Sequence, residues 1–547
     1  MSARADRIVA LVVSAALAGC GGGGASLPPT ASNAQTQAVT TAQFRILIPP
    51  KSAQARLAPK YVSASTQSVI IALTSVNGKA YAGTASSPAA VSTSLTPSSP
   101  NCTSGPSGLT CTAPATAVAG NDVYSVTTYD GSANLLSEGT ATLTVVAGQS
   151  NTGSLTLNGV MASITLAFVS DQHVSGSQSA GFSIIGNQPH TFTVVPLDAD
   201  GNTIVGPGAP TLAVTSGSSD VVVASTETSG TYTAQVQSYS ATPVQLVVTP
   251  STGTTVDVNL TTVQEMWVAN AGGNNVTAYD ASTGAQVGDD TITAGVDAPF
   301  MIATGPNGDL WISNYSGNQI EEVVPSTNVA VVSISGANSE IDEPFGIAFD
   351  SSGNLYLSNS GAGGMERFDA SSFAGMTGAQ DITPSLNSPG DASDPVQDAV
   401  DSSGNLWVAD DGDATIRVFN SGLNQVASLT GSQTFLDGPT GVAFDAAGHL
   451  WVADEAAASI DEFDAADITS NGTNIQPLTR ISGSNTGLHQ PIGIAFDAAG
   501  NLWVANYETT TSVMAYAAGS LATGGNLVPL ITIETSLDQA AGVTFTP

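Results

Sequence analysis

The chain has 547 residues, with 57 Gly and 28 Pro among abundant Ser and Thr. That length exceeds a single domain, and that composition favours many short strands between frequent turns, so an all-β, multidomain protein is expected. Charge is unevenly placed: from residue 263 onward 34 Asp and Glu face only Arg367, Arg417 and Arg480, a net −31, against −3 for the first 262 residues. Such a field repels nucleic acid and anionic lipid, which excludes nucleic acid as a partner, and attracts cations or basic partners. Acidic surfaces also serve solubility alone.

Taken in order, Arg4 and Arg7 precede an apolar run from Ile8 to Leu17, and Leu17-Ala18-Gly19-Cys20 puts small residues before a cysteine. This resembles a bacterial lipoprotein signal peptide spanning residues 1–19. The resemblance implies cleavage before Cys20 and lipid on its thiol and on the new amino terminus; an ordinary secretory signal with a chance cysteine is the alternative. The run is too short to cross a bilayer as a mature helix, and no later stretch approaches the ~20 apolar residues required. Residues 20–43 are uncharged and rich in Gly, Ala, Ser, Thr and Gln, a flexible tether with a reach of roughly 25–30 Å. Gly21 is not the Asp that, by resemblance to diderm lipoproteins, retains cargo at the inner membrane. The expected address is therefore the cell envelope, at the outer membrane or cell surface, with the membrane a partner through the lipid anchor. Arg45, Lys51, Arg56 and Lys60 lie where they would meet lipid headgroups.

Residues 44–159 offer short apolar or alternating runs (Arg45 to Ile48, Ser68 to Leu73, Asp122 to Thr128, Ala141 to Val146) separated by turn clusters such as Asn77-Gly78. They read as an immunoglobulin-like β-sandwich. Cys102 and Cys111, in an oxidising compartment, are expected to form a local disulfide closing a loop; a metal site from these two alone lacks further ligands nearby. A second immunoglobulin-like module is expected over residues 160–262. Its Asp198-Ala199-Asp200-Gly201-Asn202 reads as a turn rather than a calcium loop, because no glutamate follows at the required spacing. His173 and His190 stand in this module without paired Cys or acid motif and read as ordinary strand or surface residues.

From residue 263 to 547 one phrase recurs. Pro439 to Asp454 returns as Pro491 to Asn506, Pro344 to Asn359, Pro395 to Asp410 and, more loosely, Pro299 to Asn314. The second-strand aromatics Trp267, Trp311, Tyr356, Trp407, Trp451 and Trp503 recur at spacings of 44, 45, 51, 44 and 52 residues. This period predicts a β-propeller of six blades. The blade of Trp267 lacks an upstream first strand, and Ala541 to Phe545 repeats that strand at the end of the chain, so the carboxyl terminus is expected to complete the first blade. The phrase Gly-Ile-Ala-Phe-Asp-x-x-Gly-Asn-Leu-Trp-Val-Ala-Asn/Asp resembles the NHL-repeat propellers and their relatives, which include streptogramin lyase and the regucalcin-like lactonases. The resemblance implies the fold; its members include scaffolds, binders, lyases and lactonases, so it implies no single activity.

The Asp-x-x-Gly turns at Asp350, Asp401, Asp445 and Asp497 suit structural duty, and His449 stands in an Asn slot of one of them. The polar residues closing the second strands, Asn270, Asn314, Asn359, Asp410, Asp454 and Asn506, are expected around one mouth, with Tyr315, Asp411, Asp413, Glu455, Tyr507 and Glu508 just beyond. That setting suits a carbohydrate, a peptide, a basic protein or a cation; the alternative is that each Asn or Asp caps its own loop. Asp410 and Asp454 are candidate ligands for a divalent cation, the only cofactor considered, and His489 is the candidate general base of a lactonase or lyase. The propeller has only His449 and His489, and no Gly-x-Ser-x-Gly elbow, His-Glu-x-x-His helix or phosphate loop supplies another mechanism. The expectation is a lipid-anchored binding or interaction protein, more simply not an enzyme. A metal-dependent lactonase or lyase and a purely structural surface protein are the rivals.

Overall fold

The computed structural model describes residues 38–50, 62–153, 157–205, 208–240, 242–361, 363–388, 390–508 and 511–546. The signal-like segment, Cys20 and most of the tether, with Lys51, Arg56 and Lys60, lie outside the described residues. Among those described, no helix is long and apolar enough to cross a membrane, and helix is confined to two four-residue turns and one 3-10 turn.

The first described strand, Val39–Ile48, starts within the expected tether. Its alternation buries Ala42, Phe44, Ile46 and Ile48, while Arg45 points to solvent. It pairs along its whole length with Gly108–Val118, a strand whose small residues and Pro114 hide any apolar signal. Two sheets, one carrying these strands and the other built on Ser68–Val76, Gly120–Tyr129 and Leu135–Val145, enclose one core. Cys102 and Cys111 are disulfide-bonded. They face each other in the hairpin of Cys102–Gly105 and Gly108–Val118, so the bond staples paired strands rather than closing an irregular loop.

A second two-sheet sandwich spans Ser163–Phe168 to Val256–Val263 around its own core. The Asp198 turn belongs to the joint between the sandwiches. Asp198 Oδ1 accepts from the backbone N–H of Asp200 and Asn202, at 3.0 and 2.8 Å, and Oδ2 accepts from Ser63 Oγ at 2.5 Å.

Six sheets follow, antiparallel apart from one added parallel strand, numbered one to six here in the order of their second strands. Their innermost strands are, in the same order, Ala540–Phe545, Pro299–Thr304, Pro344–Phe349, Pro395–Val400, Pro439–Phe444 and Pro491–Phe496. Each touches the next, and the last touches the first, which is the closed ring of a β-propeller. The carboxyl-terminal strand pairs with Glu265–Asn270, the start of the ring, so the two ends of this region are hydrogen-bonded together.

The recurrent phrase has a direct physical reading. In Asp401, Asp445 and Asp497, Oδ1 accepts two backbone N–H groups of the turn, and Oδ2 accepts the indole N–H of Trp407, Trp451 or Trp503 at 2.9, 3.1 and 2.9 Å. One carboxylate thus closes the turn and satisfies the buried indole six residues on. Burial opposes ionisation of Asp401, but the bonds from Trp407, Asn405 and Ser403 outweigh it and hold the carboxyl below its usual range. Each Trp then packs edge-on against the Phe that ends the next inner strand. Trp311–Phe349, Trp407–Phe444, Trp451–Phe496 and Trp503–Phe545 have centroids 5.7, 5.5, 6.0 and 6.0 Å apart. The Gly of the phrase is required by the crowding of inner strands. A Cβ on Gly441 would lie 2.1 Å from the carbonyl oxygen of Ile492, and one on Gly493 would lie 2.2 Å from that of Ala541.

The longer spacings of 51 and 52 residues hold insertions that decorate outer edges. Gly378–Gln380 adds a parallel strand to Val329–Ile334 of the preceding sheet, Thr473 bridges to Leu429 in the same manner, and Gly525, beyond Trp503, does so to Ile481. Such cover removes exposed strand edge.

Candidate functional site

The inner strands begin, and the second strands end, at one rim of the ring. There Asn270, Asn314, Asn359, Asp410, Asp454 and Asn506 are each at most 1% exposed. Their oxygens accept backbone N–H groups from the loop entering the neighbouring inner strand: Asp538, Asp297, Asp342, Asp394, Asp437 and His489, at 2.9–3.3 Å. The six hold the mouth loops from beneath rather than line the mouth. Asn or Asp recurs because that position requires an acceptor oxygen.

The candidate metal ligands carry the same duty. Both oxygens of Asp410 accept backbone N–H groups from Ser393 and Asp394, and Oδ2 also pairs with Arg417. Both oxygens of Asp454 accept from Asp437, Gly438 and Ala457. His489 contributes its backbone N–H to Asn506 at 3.0 Å while the residue itself lies exposed. The structure therefore gives both carboxylates protein partners.

Above this layer, two chemistries meet. Phe300 of the second sheet packs on Phe345 of the third at 4.2 Å and on Tyr507 of the sixth at 5.5 Å, while Tyr315 stacks on Phe345 at 5.0 Å. Beneath, Gln397 stands where four of the other inner strands carry Gly and the second carries Met301. Its Oε1 accepts from Val442 and Ile494 N–H at 3.2 and 3.1 Å, and its Nε2 donates to the Ile494 carbonyl at 3.0 Å. The axis is thus floored by an amide and partly roofed by aromatics, which makes the mouth a shallow surface.

Around the aromatics runs an arc of carboxylates. Burial, then Asp394, Asp454, Asp410 and Asp437, pushes the Asp411 carboxyl up; burial, then Asp411, Glu508 and Asp454, does the same for Glu455. Tyr315 is raised by burial and then by Glu343 and Asp394. The three arginines of the ring are committed within their own sheets, Arg367 to Asp369, Arg417 to Asp410 and Asp413, and Arg480 to Asp461.

Deeper in the sheets lie buried acids. Burial pushes Glu321 up to about 7, Glu366 up to about 8 and Asp398 up to about 7. Asp398 Oδ1 accepts from Ser358 Oγ at 2.5 Å, whereas its Oδ2 has no partner. On the opposite rim His449 sits in its turn, with Nδ1 3.2 Å from Asp445 and 3.0 Å from Glu462.

No known family's profile matches this chain, and no curated protein matches it. Solved structures do. A protein of unknown function from Bacteroides caccae shares 12% identity over 52% of this chain and 99% of its own, with a TM-score of 0.40. A nidogen/laminin complex chain shares 16% over 52% and 98%, at 0.39, and virginiamycin B lyase from Staphylococcus aureus shares 16% over 54% and 95%, at 0.33.

Proposed function

We propose that this protein is a lipid-anchored envelope protein that binds a basic polypeptide segment at the acidic, aromatic mouth of a six-bladed propeller. In this reading Cys20 carries the lipid, residues 20–38 form the tether, and two immunoglobulin-like sandwiches hold the propeller away from an outer membrane or cell surface. The observation that carries it is the arc of mutually repelling carboxylates, Asp394, Asp411, Glu455 and Glu508, beside Phe300, Tyr315, Phe345 and Tyr507. Carboxylates pair with Lys and Arg head groups, and the aromatic faces accept their cations and aliphatic stems. A shallow surface suits an extended segment better than a small substrate.

A fluorescent decapeptide alternating Lys or Arg with Ser tests it. The protein is expected to bind this peptide with an affinity that falls at least tenfold between 50 and 500 mM salt, about the loss expected when a few charge contacts are screened. The double variant Asp411→Asn/Glu455→Gln is expected to weaken binding at least tenfold while keeping its melting temperature. Salt-independent binding, or equal binding by the variant, contradicts the reading.

A further inference from the structure

His173 and His190 carry no motif in sequence, yet the fold brings them to the seam between the second sandwich and the ring. Glu265 opens the first ring strand, and Asp290 lies on Gln286–Ile292, the outer strand of the same sheet, with Asn275–Asp280 between them. His173 Nε2 lies 2.7 Å from Asp290 Oδ2 and 3.3 Å from Glu265 Oε1. One donor atom from each of the three lies within 4.8 Å of the others.

The remaining polar atom of each is already held. His173 Nδ1 is 3.0 Å from Asp171 Oδ1, and His190 Nδ1 fixes the other Asp171 oxygen at 2.7 Å. Asp290 Oδ1 accepts from Gln172 Nε2 at 2.8 Å, and Glu265 Oε2 accepts from Trp267 Nε1 at 3.2 Å. Glu265 is 3% exposed, and its Oε1, the atom aimed at the imidazole, makes no hydrogen bond of good geometry and faces only His173 Nε2. A carboxylate behind the imidazole and hydrogen bonds behind each carboxylate are the outer support that orients metal ligands.

We propose that His173, Glu265 and Asp290 bind one zinc-class divalent ion that fastens the second sandwich to the propeller. An imidazole with two carboxylates is a nitrogen and oxygen donor set suited to zinc; calcium and magnesium prefer oxygen alone. Zinc bonds of about 2.0–2.1 Å in a tetrahedron place ligand atoms about 3.3 Å apart, close to the spacing found, and leave a fourth position for water. The grouping of Asp445, His449 and Glu462 on the far rim differs. There two carboxylates likewise face one imidazole nitrogen, but the Asp445 oxygens already hold the turn and Trp451. That grouping serves as the control.

The test uses the purified full chain, stripped with chelator and titrated with Zn²⁺, with metal content, melting temperature and Co²⁺ absorption as readouts. One equivalent is expected, with a higher melting temperature and a tetrahedral Co²⁺ spectrum displaced by Zn²⁺. His173→Gln and Asp290→Asn are each expected to weaken binding at least tenfold, and His449→Gln to leave it unchanged. Asp290 is at the partly exposed edge of the seam, so its variant informs even if the histidine variant misfolds. No stoichiometric binding by the unmodified chain, or loss of the site in His449→Gln, overturns the proposal and leaves a histidine held by carboxylates.

Discussion

Deletion of residues 540–547 is expected to abolish cooperative unfolding of the propeller and leave it aggregated or molten. The strand Ala540–Phe545 is the inner strand of the first sheet, and it touches the inner strands of the second and sixth. Its loss exposes Met266, Trp267 and Val268 along the unpaired edge and strips Trp503 of the Phe545 ring. Burial of Val543 and Phe545 alone contributes about 1.5–3 kcal/mol each, a large share of a net stability that is typically ~5–15 kcal/mol. The first sheet's hydrogen bonds are lost besides. Thermal unfolding followed by tryptophan fluorescence checks this; a truncated chain with a single sharp transition near that of the intact one would show that the ring does not depend on this closure.

The second large effect is pH dependence. Glu321, Glu366 and Asp398 have folded values near 7, 8 and 7 because burial disfavours their charged forms, against ordinary values near 4 in an unfolded chain. A raised value means that the folded state holds protons the unfolded state has released. The stabilisation is complete below about pH 4 and is lost as pH rises through the folded values. The melting temperature is therefore expected to fall by about 10 °C or more between pH 5 and 8.5, each group contributing on the order of 3 kcal/mol. Glu366→Gln should flatten this slope and raise stability at pH 8.5. A melting temperature that is level or rises over this interval would mean that these carboxyls find water or counter-ions in solution.

Much of the ring was legible because its repeat encodes contacts made within each sheet. The Asp401–Trp407 pair lies six residues apart, so turn and strand appear together in the sequence, and the terminal Ala541 to Phe545 was recognisable as a displaced copy. The strand Gly108–Val118 was not legible, since Thr, Ala and Pro mask its alternation and its burial comes from the facing sheet. The Asn and Asp ring was found by position, with a ligand-facing role and a loop-capping role both open: whether a side chain faces a mouth or pins a neighbouring loop is decided by sheet twist and loop path. His173, Glu265 and Asp290 had no local signal at all, because their proximity exists only when the second sandwich packs against the ring. Gln397 was not singled out in the sequence either, because its role depends on strands of two other sheets.

The most direct measurement for the acidic mouth is amide hydrogen exchange of the full chain with and without the Lys/Arg decapeptide. Binding at the mouth predicts slowed exchange in residues 313–317, 343–346, 392–396, 411–414, 455–458 and 507–508, with the Asp-x-x-Gly turns on the far rim unchanged. Slowed exchange confined to those turns or to the sandwiches, with the mouth loops unaffected, would contradict it.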